Sequence, residues 1–230
     1  MEPTTKINDP VIESMFKAGA HYGYTKARRH PSTKAYVYGV KNRVEIIDLE
    51  KSKANLEVVK KFIAELAKDG KQILFVSSKN EAKEAIKTHA LSIGMPYVAG
   101  RWIGGTLTNW SEIRKRVDKY LDLQTQKERG ELVKYTKKER LMIDRQITNL
   151  EDMFSGIVHL RSMPAALFVI DPKQEEIAVK EARQMKVPVI ALSNTDCNID
   201  DIEYPIVAND ANRASIGLFV SEVSESYNAK

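Results

Sequence analysis

The segment RWIGGTLTNW, residues 101–110, sets two adjacent glycines among an arginine, two tryptophans and two threonine hydroxyls. Glycines in such company let backbone N–H groups approach a phosphate, with the arginine and the hydroxyls as further donors. The phosphate would belong to a nucleotide in a pocket or to a nucleic-acid backbone; alternatively, the glycines only turn the chain. A nucleotide pocket needs more than this loop. The chain contains no G-x-x-x-x-G-K-[ST] and no G-x-S-x-G, and Gly100, Gly104 and Gly105 lack dinucleotide-binding spacing.

Asp171 and Asp196 lie at or just past the C-terminal ends of two strand candidates, the edge where doubly wound folds bind ligands. The competing reading is structural and is preferred: Asp171 ends a strand and caps the next helix, and Asp196 closes the polar turn Ser-Asn-Thr-Asp. His21, His30, His89 and His159 are scattered and form no H-E-x-x-H. No catalytic residue, metal ligand or cofactor is assigned. Cys197 is the sole cysteine, which excludes an internal disulfide and a cysteine-cluster zinc site and suits a reducing cytosol.

The remaining chemistry is charge. The net charge is only +5, but its distribution is uneven. Lys26, Arg28, Arg29 and Lys34 crowd a loop that holds no acid, and Arg114, Lys115, Arg116 and Lys119 crowd another segment. The acids gather at Asp196, Asp200, Asp201, Glu203 and Asp210. A polarised chain of this kind presents a basic face to polyanions.

The elements that must position these residues alternate. Apolar runs at 73–78, 166–171 and 189–194, with shorter ones at 97–100 and 205–209, read as buried strands. Residues 36–48 read as two short strands around Lys41, Asn42 and Arg43. Helical spacing covers 51–68, 80–92, 173–186 and 211–224. This order implies an α/β fold: a doubly wound parallel sheet flanked by helices, Rossmann- or flavodoxin-like. From 109 to 154 no strand candidate occurs. Asn109 to Glu112 and Thr136 to Glu139 have capping-box spacing, and Ile143, Ile147, Leu150 and Phe154 recur as a coiled-coil seam does. The expectation is an antiparallel coiled-coil helical hairpin over 109–154, joined by a polar loop at 125–135. It would protrude from a discontinuous α/β domain of residues 1–108 and 155–230. No run of 18 apolar residues exists to span a membrane.

Three blocks carry a resemblance: AGAHYGYTKARRHPSTKAYVYGVKNRVEIIDLEKS (18–52), RWIGGTLTNWSEIRKR (101–116) and ALFVIDPKQEEIAVKEARQMKVPVIALSNTDCNIDDIEYPIVANDANRASI (166–216). Together they resemble the small ribosomal subunit protein two family across nearly the whole chain, and the GG-T-L-T-N form is of the bacterial or organellar type. The family's H-F-G-H is His21-Tyr22-Gly23-Tyr24 here, so any ion or RNA contact of the second imidazole goes with it. The resemblance implies a non-enzymatic structural constituent of the small subunit. It implies binding to small-subunit ribosomal RNA between head and body, and neighbouring ribosomal proteins, including the large mRNA-binding protein one whose docking members assist. No membrane and no small-molecule substrate is implied. The location is the cytoplasmic ribosome, or an organellar one.

On that reading Arg28 and Arg29 are the first phosphate contacts, flanked by Lys26 and Lys34. Arg114, Lys115 and Lys119 fall away from the apolar stripe of the hairpin, and Lys137 and Lys138 open its second helix, where an N-terminus favours anions. In the glycine loop, Arg101, Thr106 and Thr108 stand nearest an RNA backbone. Trp102 either stacks on a base or packs; Trp110 packs at the hairpin base. Two other classes fit the same fold: a sugar-phosphate or nucleotide-handling enzyme, and a non-ribosomal scaffold or adhesion protein.

Overall fold

A computed structural model describes residues 9–160 and 162–228. Five short parallel strands form its centre: β4 (Ile73–Val76), β5 (Tyr97–Val98), β6 (Ala166–Ile170), β7 (Val189–Ser193) and β8 (Tyr204–Val207), in the order β5-β4-β6-β7-β8. Counted from β4 this is 2-1-3-4-5, the flavodoxin-like order, with its switch point between β4 and β6. The strands β4, β6 and β7 are buried throughout, as expected for near-continuous apolar runs covered on both faces.

Alternation along each strand sorts the core into two layers. Ile73, Phe75, Phe168, Ile170, Ile190 and Leu192 face one cluster with α1 (Pro10–Lys17), α2 (Leu49–Lys68), α3 (Asn80–Ser92) and α7 (Arg213–Asn228). Leu74, Val76, Leu167, Val169, Val189 and Ala191 face the other, with α6 (Glu176–Gln184), Trp102, Leu107 and the bases of α4 (Trp110–Glu128) and α5 (Lys137–Phe154).

A second sheet is antiparallel, in the order β1-β3-β2: β1 (Tyr22–Thr25), β2 (Val37–Lys41) and β3 (Val44–Ile47). The expected pair at 36–48 is a hairpin closed by Asn42 (φ 52°) and Arg43 (φ 68°), two left-handed residues that match the strand twist. Sequence periodicity missed α1 and β1, which are short; β1 pairs to β3 across Gly23. A Cβ on Gly23 would lie 2.8 Å from the Thr195 side chain, so glycine is required where the two sheets meet.

The helices α4 and α5 pack on each other antiparallel. Ile113 shares a groove with Leu150 and Phe154 at one end, and Lys127 pairs with Asp144 at 2.8 Å at the other. Helix α4 continues through residues expected in the polar loop, and the connection narrows to a 3-10 turn at Glu131–Lys134. Thr136 and Glu139 form the expected capping box. Asn109 does not: its side chain makes no cap bond to the Glu112 amide and instead accepts from the Ser111 hydroxyl at 3.3 Å. The pair's apolar stripe, Ile113, Val117, Tyr120, Ile147, Leu150 and Phe154, is continuous with the second core layer of the sheet.

Candidate nucleic-acid interface and the closed sheet edge

The loop between β5 and α4 has an anion in its embrace, and the anion belongs to the chain. Glu181 on α6 is 8% exposed. Its Oε1 accepts from the Trp102 indole N–H (3.1 Å) and the Gly105 amide (2.8 Å). Its Oε2 accepts from the Leu107 amide (3.0 Å) and from the amide and hydroxyl of Thr108 (both 3.3 Å). Burial pushes the Glu181 carboxyl up, but these donors outweigh it and hold the group below the usual carboxylate range. Gly105 has φ +93°, a conformation that favours glycine and lets its amide turn inward. The glycine pair therefore turns the chain and frames a carboxylate.

This placement decides several sequence candidates. Trp102 is 6% exposed, with its N–H engaged, so it has no face free for a base. Thr106 is 3% exposed and its hydroxyl donates to the Ile103 carbonyl at 2.6 Å. Both leave the set of RNA-facing residues. Thr108 is exposed but directs its hydroxyl at Glu181. Arg101 is exposed. Trp110 packs against the second core layer, as expected.

The carboxyl edge of the sheet is filled in the same manner. Past β4, the Lys79 ammonium bridges Asp171 (2.7 Å) and Asp210 (2.8 Å) across the switch point. Burial disfavours the Lys79 ammonium, yet Asp210 and Asp171 outweigh it and push its pKa up. Glu175 accepts from the Ser78 amide at 2.6 Å. Asp171, at φ +62°, also accepts from the Lys173 and Gln174 amides at 3.2 Å, so it closes the turn after β6 and does not cap the next helix as expected: α6 starts at Glu176 and its cap residue is Glu175. Asp196 pairs with Lys173 at 2.8 Å. The sequence showed neither partner because Lys79, Asp171 and Asp210 are far apart in the chain. Asp171, Cys197 and Asp210 bring three ligand-type atoms within 4.8 Å of one another, but the Lys79 ammonium already bridges both carboxylates. Burial and the neighbouring carboxylates push the Cys197 thiol up and keep it protonated.

The basic residues divide into two groups. Arg29, a first choice from the acid-free loop, donates to Glu45 at 3.0 Å, and Glu45 is fully buried on β3. Its acid comes from strand β3, outside the loop, which loop composition cannot show. Arg114, expected to face outward, is half-buried; it pairs with Asp118 at 3.0 Å and reaches the Val158 carbonyl. Lys115 is exposed and pairs with Glu112 at 2.6 Å. By contrast Lys26, Arg28, Lys34, Arg101, Lys119, Lys137 and Lys138 are exposed, and among the described residues none takes part in an ion pair. Arg28 lies over the Tyr24 ring, 5.5 Å from its centroid. Arg116 is also exposed, at the groove of the helix-pair base.

Fold and site together define a class: a doubly wound α/β protein with two antiparallel helices between β5 and β6, whose carboxyl edge is occupied by its own ion pairs. A family model described as Ribosomal protein S2 matches residues 15–229. Relatives named small ribosomal subunit protein uS2 include those of Chlorobaculum tepidum (41% identical), Helicobacter pylori (39%) and Coprothermobacter proteolyticus (38%). Each aligns over 93% of this chain and 86%, 81% and 80% of the relative, respectively. The chain belongs to the ribosomal protein S2 family, whose members are structural and non-enzymatic. The enzyme alternative falls with that assignment.

Proposed function

We propose that this chain is a structural constituent of the small ribosomal subunit and binds its ribosomal RNA through exposed, unpaired cations. The contacts are Lys26, Arg28 and Lys34 on one loop, Arg101 beside the glycine loop, and Lys119, Lys137 and Lys138 on the helix pair. The observation that carries the reading is the division of charge: in a family of ribosomal proteins, these seven cations lack an internal partner among the described residues. Long exposed ammonium and guanidinium groups are solvated in the free chain and suited to phosphates, whose counterions they release. Contacts of this kind read backbone and shape, as structured RNA requires. The proposal extends to a position between head and body, to assistance in docking the large mRNA-binding ribosomal protein one, and to the cytoplasm.

Sedimentation of lysate at low and high salt tests the reading. The chain should travel with small subunits at low salt and be released as salt rises. Recovery only in the free soluble fraction at low salt would overturn it.

A further inference from the structure

We infer that the loop of residues 102–108 is an anion-binding nest whose resident ligand is the Glu181 carboxylate, and that this built-in ligand fixes the exit of the chain into α4. Three inward-turned amides, an indole N–H and a hydroxyl converge on one carboxylate. Such convergence of backbone donors is the arrangement that α/β proteins use to cradle an anionic ligand. Here the ligand arrives from α6, 73 to 79 residues away in sequence. The donors end one residue before Asn109, the cap of α4, so the carboxylate holds the segment from which the helix pair departs. A second acid of the same region repeats the device: Glu175 takes the Ser78 amide at the start of the β4–α3 connection. Helix α6 and the residue that caps it thus supply anions to both loops that leave β4 and β5.

The nest is specific in class. It takes a planar carboxylate, with two donors on one oxygen and three contacts on the other. Removing the side chain beyond Cβ leaves the donors without an acceptor and leaves room for a small carboxylate to enter. A neutral amide in its place presents N–H groups to N–H groups.

The test uses the full chain and the variants Glu181→Ala and Glu181→Gln. In Glu181→Ala, hydrogen exchange at the Gly105, Leu107 and Thr108 amides should quicken by about tenfold or more, the scale of a lost bond to a charged acceptor. Formate or acetate at tens of millimolar should restore protection at the three amides, while chloride at equal ionic strength should not. Equal recovery in chloride, or no recovery in formate, would overturn the nest. If Glu181→Ala does not fold, Glu181→Gln decides. Unchanged exchange at the three amides in that variant would overturn the proposal, and selective acceleration there would support it.

Discussion

Replacing Lys79 with methionine should destabilise the fold far more than a surface lysine would, and in a pH-dependent way. The ammonium is the shared partner of Asp171 and Asp210, at 2.7 and 2.8 Å, and the Asp210 side chain is fully buried. Methionine keeps most of the volume but leaves two carboxylates facing each other without a cation. Breaking a buried pair from one side costs about 3–5 kcal/mol. Asp210 keeps the Asn194 amide at 2.9 Å, and Asp171 keeps its two turn amides, so the lower end, about 3 kcal/mol, is expected. With a urea slope of about 2–3 kcal/mol per molar for a chain of this length, the midpoint should fall by about 1–1.5 M. The sign with pH follows from the groups. In the wild type the Lys79 pKa is raised, so its contribution is complete below the ordinary lysine value of 10.5 and is lost as pH rises through the higher folded value. In the variant, burial already pushes the Asp210 carboxyl up, and loss of the cation raises it further. Acidification should therefore narrow the gap between variant and wild type. Adding Asp210→Asn to Lys79→Met should recover part of the loss, because it removes the stranded charge. Urea titrations at pH 5, 7 and 9 measure all of this. A midpoint unchanged at pH 7, or a gap that widens toward acid, would refute the ion-bridge argument.

Other expectations follow from the same geometry. Arg29→Ala strands the fully buried Glu45 and should cost about 3–5 kcal/mol by denaturant titration, whereas Arg28→Ala should change stability by under about 0.5 kcal/mol. Arg43→Gly should stabilise the β2–β3 turn by a few tenths to about 1 kcal/mol, because Arg43 sits at φ +68°, and the thermal midpoint reports it. Gly105→Ala, at φ +93°, should cost about 1 kcal/mol or more in a denaturant titration. The Glu181 carboxyl lies below its ordinary value, so its stabilisation is complete above the ordinary glutamate pKa and is lost as pH falls through the folded value. Acid titration of Glu181→Gln against wild type should show the two curves converging at low pH.

The sheet was legible because its strands are short, apolar and separated by amphipathic helices: the runs at 73–78, 166–171 and 189–194 became β4, β6 and β7. The second capping box formed because Thr136 and Glu139 need only each other. At Asn109 the same spacing failed because the Asn109 amide donates to the Gly105 carbonyl at 2.8 Å and the cap side chain turns to Ser111. The charged site was less legible. Composition located the basic segments but not which cations are already paired, since Glu45 reaches Arg29 from strand β3 and Asp118 lies one turn from Arg114. Of these, only the Arg114–Asp118 pair had a readable signal, its i,i+4 spacing. The glycine loop showed its anion-binding chemistry in sequence, but its ligand, Glu181, came from a helix with no local sign of that role.

The most direct test of the central claim is a lysine-modification footprint of the chain, free and within purified small subunits. Lys26, Lys34, Lys119, Lys137 and Lys138 should react readily in the free chain, become protected in the subunit, and react again once the RNA is digested. Equal reactivity of these five lysines in the free and assembled states would contradict the account.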